Sequence, residues 1–370
     1  MDIIAKLVKL KSKLESCHDV YNWESATRSI MKRIASQCEM KELNKDQKNA
    51  VQNYWQPLIH KKVDLRMHQI MLSLTGKFKP EFEPFEVCYE VQSRSMSQHS
   101  MRFFDDKNLY RLLLHGFNIP IRVAECNNGV LYLPESEWGG QEVDWSRFVE
   151  YLTNIKDCII KPSKGTSGGI GVKGLDVNKG VVSGENIPLE DFLKQYGQDY
   201  TIERKIHECD NLQRLNSTSC NTLRIHTFRD RKANDIKYIS SFIRIGRQGM
   251  TVDNGYFGGL CARIYDDTCT LNGSIQLNPY KRIFETDNGV SLKNYRIDNM
   301  EMIIDTAKRA HSCLPMFDYI GWDMAIDNNG RVIIIEFNPN PDNRLDQLIF
   351  DDTCLLHHQK WIIEQTYSHK

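Results

Sequence analysis

Residues 319–340 read YIGWDMAIDNNGRVIIIEFNPN, and their alternation decides how the fold is read. Asn328-Asn329-Gly330 supplies a tight turn, because Asn and Gly tolerate the positive φ such turns require. With Asp327 paired to Val332, Trp322, Met324 and Ile326 fall opposite Phe337, Ile335 and Ile333 on one buried apolar face. The same register sets Asp323 opposite Glu336, with Asn338 two residues further along that face. Two carboxylates and an amide oxygen gathered in this way are costly without a cation or a basic partner. Oxygen-only ligation suits Mg2+ better than zinc, which favours nitrogen and sulfur. The competing reading is a solvated strand face with charges spaced by accident, and the flanking Val332 and Ile334 count against it. A one-residue slip in register would exchange the two faces and remove the argument.

Upstream, IIKPSKGTSGGIGV runs from Ile159 to Val172. A lysine, Lys161, ends a strand, and a loop of Gly, Ser and Thr follows. Successive glycines let backbone N–H groups approach an anion closely, and a lysine ammonium is a compact charge for phosphate oxygens. The segment has no GxxxxGK[ST], and it leads into a strand where a dinucleotide fingerprint would lead into a helix. By itself it is equally well a mobile surface hairpin. Beside a downstream Mg2+ cluster it points to a nucleoside triphosphate.

The rest of the chain limits the alternatives. It has 370 residues, 41% of them hydrophobic, with 48 basic and 48 acidic side chains. That length supports two or three compact units. The neutral balance argues against nonspecific nucleic-acid binding, and no nucleic-acid partner is expected. No run approaches the roughly 20 apolar residues of a spanning helix. Lys6, Lys9, Lys11 and Lys13 interrupt any signal-peptide core, so the expected location is cytoplasmic. Ile3, Leu7, Leu10 and Leu14 repeat at helical spacing and are expected to pack on the protein, a peripheral membrane or partner contact being the alternative. The 11 cysteines include no CxxC pair, which argues for reduced thiols over a disulfide frame or a zinc site.

Along the chain, residues 1–80 read as helices: one over Trp23–Ala35, one ending near Trp55 before Pro57, and one over Val63–Leu74 stopped by Gly76. Phe78, Pro80, Phe82, Pro84 and Phe85 suggest an extended connection opening a mixed region, 81–144. There Asp106–His115 reads as a helix, and Asn127-Asn128-Gly129 as the turn of a hairpin. A segment 145–205 carries the glycine-rich loop, and 206–370 carries the carboxylate hairpin after a helix near Asp298–Cys313. Mixed strands with interspersed helices argue for an α+β fold.

Taken in order, the Lys161 loop, SCNTLRIHTF from Ser219, IRIGRQGMTVDNGYFGGL from Ile243, and GWDMAID to EFNPN resemble the ATP-grasp superfamily, and within it the sugar-transfer-associated branch. The resemblance runs from about Phe103 to Arg344. It implies two lobes gripping ATP, with 145–205 the smaller and mobile one, 206–370 the larger one, and the helical N-terminus preceding them. It implies that Lys161 and Lys107 bind phosphate, with Ser163, Gly165, Thr166, Ser167, Gly168 and Gly169 forming the covering loop. For Lys107 the bland alternative is a solvated helix-terminal charge. Glu203, Lys205 and Ile206 resemble the hinge that meets adenine, and Glu208 is assigned to the ribose region. Asp323, Glu336 and Asn338 match the metal positions that the hairpin register also suggests.

Arg224 can hold a carboxylate, an acyl phosphate or the transferred phosphoryl group in its planar fork, an arginine that anchors two strands being the alternative. Arg244, two residues past Phe242 on an alternating strand, is expected to face the same cleft. With Lys161 these are the expected catalytic residues. Asn221, Thr222, Asp253, Asn254, Gly258 and Gly259 are assigned to the acceptor side. His226 shares strand parity with Arg224 and needs no role. The implied reaction activates a carboxylate with ATP and Mg2+ as an acyl phosphate, then joins it to an amine, releasing ADP and phosphate. The branch points to a sugar acid or a cell-surface glycan precursor. A kinase using the same grip and a nucleotide-gated binding module without turnover stay open as alternatives.

Overall fold

The computed structural model describes residues 22–95, 104, 106–135, 139–165, 168–250, 253, 255, 258–339 and 341–367. The apolar repeat Ile3–Leu14 lies outside them. The chain divides into two units, one built from both ends, up to Gln92 and from Asn343 onward, the other from Ser93 to Asp342.

The first unit is helical. A helix spans 22–35, and another, Lys45–Ile59, opens on a reciprocal capping box between Asn44 and Gln47. This second helix passes its expected end at Trp55 and contains Pro57. The proline stands in the last turn, so it forfeits one backbone bond, while the buried pair Trp55 and Ile59 holds that turn in place. Arg66–Thr75 follows and stops where Gly76 takes φ 73°. The expected extended connection gives way to a helix, Phe85–Arg94, directly after Pro84, a residue preorganised for a first helical turn. The C-terminal stretch, expected in the large lobe, belongs to this unit, with Glu83 among its anchors. The buried Glu83 carboxylate accepts from the Cys354 amide and from Gln359, and its backbone exchanges hydrogen bonds with Gln347.

Among the described residues, the second unit carries eighteen strands: β1 Arg122–Asn127, β2 Val130–Pro134, β3 Gly140–Val143, β4 Cys158–Pro162, β5 Lys173–Leu175, β6 Val177–Asn178, β7 Val181–Val182, β8 Ile187–Pro188, β9 Tyr200–Arg204, β10 Thr222–Asp230, β11 Asp235–Ile245, β12 Leu260–Arg263, β13 Thr270–Asn272, β14 Ser274–Leu277, β15 Tyr280–Ile283, β16 Lys293–Arg296, β17 Tyr319–Ile326 and β18 Val332–Asn338. A six-stranded antiparallel sheet runs β3-β2-β1-β9-β4-β5. It takes in 122–143, expected ahead of the small lobe, because β1 pairs with β9. Helices Trp145–Leu152 and Leu189–Tyr196 bury Phe148, Leu152, Phe192 and Leu193 in its core. The turn between β1 and β2 puts Asn128 and Gly129 at positive φ, as the sequence pattern requires. The stretch expected to be one helix over Asp106–His115 is instead a 3-10 turn, Lys107–Leu109, and a short helix, Tyr110–Leu113.

A seven-stranded antiparallel sheet runs β15-β14-β12-β11-β10-β17-β18. Helix Met300–Ser312 buries Ile303, Ala307 and Ala310 in its core. There the Trp322 indole donates to Thr227 Oγ1 (2.8 Å), whose hydroxyl meets His311 Nδ1 (2.7 Å). Burial holds His311 neutral, its pKa down at about 3.

The hairpin β17–β18 departs from the expected register in one place. Trp322 faces Phe337 and Asp323 faces Glu336 as expected, but a bulge follows, and Met324, Ala325 and Ile326 face Ile334, Ile333 and Val332. The bulge places Ile335 as an extra residue. Ile334 and Val332 therefore join Trp322, Met324, Ile326 and Phe337 in the core, where Ile335 and Ile333 were expected. Among the described residues, no helix is long and apolar enough to cross a membrane.

Candidate functional site

The register of the large sheet brings Arg224, Asp323 and Glu336 side by side across β10, β17 and β18. Directly opposed residues in an antiparallel pair share a face. Arg224 opposes Phe242, so Arg244, two residues on, shares that face as well. The row borders a cleft also lined by Lys107, Lys161, Gly168, Gly169 and Ile170.

Arg224 grips Asp323 with two bonds, Nε to Oδ1 at 2.6 Å and a terminal nitrogen to Oδ2 at 3.1 Å. A terminal nitrogen of Arg244 reaches Oδ2 at 2.9 Å. Burial works to raise the Asp323 pKa, but the two guanidiniums outweigh it and hold the carboxyl at about 2. Burial likewise opposes the charge on Arg244, and Asp323 and Asp253 more than offset it, so its pKa is raised. Gly321 makes room for this packing. A Cβ there would stand 2.8 Å from Pro341 Cβ and 3.4 Å from Arg224 Cδ.

Among the described residues, Glu336 meets one cation in the site, Lys107 Nζ at 3.5 Å. The Asn338 amide lies 3.4 Å from both Asp323 Oδ2 and the Gly321 carbonyl. The donors are two carboxylates and an amide, a hard oxygen set that fits magnesium. Asp323 enters that set already engaged by two arginines, while Glu336 and Asn338 are the more open members.

Across the cleft, Lys161 at the end of β4 stands 2.7 Å from Glu203 Oε2 on β9. The loop beyond Lys161 turns through positive φ at Gly165, Gly168, Gly169 and Gly171. At Gly171 the need is steric as well, since a Cβ would come within 2.7 Å of Pro162. Lys164 anchors the base of this loop, meeting Asn127 Oδ1 at 2.6 Å and Asp199 Oδ1 at 2.7 Å, with Asp106 at 3.6 Å. The Lys107 amide donates to the Ser163 carbonyl (2.9 Å), so one short turn touches both the loop base and Glu336.

The structure thus brings Lys107, Lys161, Gly168, Gly169, Glu203, Lys205 and Ile206 to the cleft wall. Thr222, Arg224, Arg244, Asp253, Asp323, Glu336 and Asn338 also line it. Thr166, Ser167 and Asn254 lie outside the described residues. Ser163, Gly165, Gly258 and Gly259, also expected at the site, are not among the residues that line the cleft. Glu208 and Asn221 stand behind it: Glu208 accepts from the Asn221 backbone (2.9 Å) and side chain (2.8 Å). Burial pushes the Glu208 carboxyl up to about 8 against those bonds. Asp253 Oδ2 accepts from the Thr222 amide at 3.0 Å. His226 is buried and neutral, its pKa down at about 3. Sequence reasoning missed Lys164 and Ile335. The first had a signal, a lysine at the loop's edge, whereas Ile335 reaches the cleft only through the bulge.

A family model described as sugar-transfer-associated ATP-grasp matches residues 89–362. No curated protein matches the chain. Among solved structures, N5-carboxyaminoimidazole ribonucleotide synthetase from Thermotoga maritima is 12% identical, with a TM-score of 0.39 over 73% of this chain and 51% of that one. The corresponding synthetase from Staphylococcus aureus, complexed with ADP, is 13% identical, with a TM-score of 0.41 over 73% and 54%. The ATP-grasp ligase PsnB, complexed with a minimal precursor, is 12% identical, with a TM-score of 0.40 over 75% and 64%. The chain thus spans between about half and two thirds of these proteins.

Proposed function

Because the chain belongs to the sugar-transfer-associated ATP-grasp family, we propose that it is an ATP-dependent carboxylate–amine ligase. The observation that carries this reading is the row Arg224–Asp323–Glu336 facing Lys161 and its glycine loop across one cleft. A carboxylate oxygen of the substrate attacks the γ-phosphorus, and the bond to ADP breaks. The amine nitrogen then attacks the acyl carbon, loses a proton, and phosphate leaves.

Lys161 and Lys107 offset phosphate charge, and Arg224, whose Nε and one terminal nitrogen hold Asp323, offers its other terminal nitrogen to the oxygens that gain charge in transfer. The glycine loop covers the site and excludes water from the acyl phosphate. Magnesium would be held by Glu336, Asn338 and Asp323, and would supply charge neutralisation at the phosphates. The family's association with sugar transfer supports a sugar acid or glycan precursor as one substrate. A cytoplasmic setting fits the described cysteines, which are free thiols.

Calorimetric titration with ATP tests the nucleotide site. Glu336→Gln is the informative variant, since Asp323 also holds two arginines. Mg2+-dependent ATP binding is expected, weakened on the order of tenfold in Glu336→Gln. Turnover is then read on a panel of sugar acids and amino acids with hydroxylamine as the trapping amine. Hydroxamate with ADP and phosphate supports ligation through an acyl phosphate. AMP with pyrophosphate contradicts it, and a stable phosphorylated product would indicate a kinase.

A further inference from the structure

Arg224 and Arg244 share Asp323 unequally. Arg224 is bidentate, whereas Arg244 contributes one terminal nitrogen, 2.9 Å from Oδ2. The Arg244 Nε is buried and makes no hydrogen bond. It lies 3.5 Å from Asp253 Oδ2, too far for a good bond and near enough for a small shift to make one. Asp253 is steadied by the Thr222 amide at 3.0 Å, so it offers a fixed anion. Arg244 therefore stands between two carboxylates, well bonded to one and incompletely bonded to the other.

Asp323 has little capacity to spare. Oδ2 already faces two guanidinium nitrogens, with the Asn338 amide at 3.4 Å. A divalent cation held between Asn338 and Oδ2 competes with an arginine for that oxygen. Losing a counter-charge is costly for a buried guanidinium, but Arg244 alone has a second carboxylate within reach. Arg224 has no such alternative among the described residues.

Resting on the ligase reading above, we propose that Arg244 is a positioning residue that gates the divalent-cation site. It holds Asp323 when no cation is bound and passes to Asp253 when one arrives. Cation binding and the placement of Arg244 are then one linked equilibrium, and the linkage runs both ways. The cation frees the guanidinium from Asp323, and removing the guanidinium frees Asp323 for the cation.

The test measures Mn2+ binding by the full chain in the presence of ADP, from the loss of the free Mn2+ electron paramagnetic resonance signal. Arg244→Gln removes the competitor and is expected to bind Mn2+ at least about 5-fold tighter, the lower end of ordinary coupling between sites. Asp253→Asn removes the refuge and is expected to bind Mn2+ more weakly by a similar factor. In the double variant there is no arginine to rehouse, so its affinity is expected to match that of Arg244→Gln. A merely structural role for these residues would weaken binding in both single variants. Equal or weaker binding by a folded Arg244→Gln overturns the proposal. So does unchanged binding by Asp253→Asn, which decides the matter even if Arg244→Gln does not fold. Wild-type protein that binds neither ADP nor Mn2+ defeats the ligase reading itself, an outcome separate from any pattern among the variants.

Discussion

At Gly321 the space for one methyl group decides where the Arg224 side chain can lie. A Cβ there would meet Pro341 at 2.8 Å, His226 at 3.3 Å and Arg224 at 3.4 Å, and the proline ring cannot swing away as a flexible side chain would. Gly321→Ala is therefore expected to destabilise the second unit by about 1–3 kcal/mol, the usual range for overpacking. It should also push Arg224 off Asp323. Thermal melting reads the first effect, and the second appears as lower kcat with little change in nucleotide affinity. Unchanged melting and unchanged turnover would mean that the strands move apart freely. At this scale the sequence was partly legible. Asp323 does stand opposite Glu336 as alternation suggested, but two shifts cancel to put it there: at the turn Val332 faces Ile326 where Asp327 was expected, and the bulge at Ile335 restores the register. That Arg224 sits beside Asp323 did not follow, since the pairing of β10 with β17 joins residues 99 apart in sequence. Nothing local announces such a partner.

Elements were legible where one short signal suffices. The helix Leu189–Tyr196 closes at Gly197 as its residues suggest, and Asp144 caps Trp145–Leu152 through the Arg147 amide. They were illegible where tertiary contacts override a rule. Pro57 sits inside a helix, and the bulge after Asp323 shifts β18 by one residue so that Ile334 fills the core. The glycine-rich loop is intermediate. Its flexible residues were plain, but the lysine that fixes its base was not. Lys164 ties that base to the β1–β2 hairpin through Asn127 and to Asp199, beside the turn that carries Lys107. The side chains are partly exposed, so solvent screening keeps each contact to about 1 kcal/mol or less. Lys164→Met is accordingly expected to weaken nucleotide binding by at most about tenfold, and Lys164→Arg to restore much of it. Calorimetry on the two variants checks this. Equal affinities for wild type and Lys164→Met would show that the loop base holds without the lysine.

At the scale of the whole molecule, the chain returns to its beginning: the stretch from Asn343 joins the unit formed by the N-terminal helices. No local sequence pattern marks this return, because its anchors join residues more than 250 apart; among them is the buried Glu83 carboxylate, receiving the Cys354 amide at 2.9 Å and Gln359 at 2.7 Å. Burial lifts the Glu83 carboxyl to about 7 from its ordinary 4.5, although those donated bonds favour the charged form. The sign of the consequence follows from linkage. The folded unit holds this proton more tightly than the unfolded chain does, so the contribution is fully present below about pH 4.5. It is lost as pH rises through about 7. The loss amounts to about 3 kcal/mol at most. Glu208 in the second unit is shifted in the same direction, so a fall in wild-type stability alone would not identify Glu83. The difference between wild type and Glu83→Gln does identify it. The amide cannot titrate, and its nitrogen meets donors that a carboxylate would accept. The variant is therefore expected to be less stable than wild type at pH 5 and to lose less stability between pH 5 and pH 8. Urea unfolding across that range reads both slopes. Parallel slopes would mean that Glu83 keeps its charge throughout, and that the C-terminal stretch is held by a carboxylate and not by a carboxylic acid.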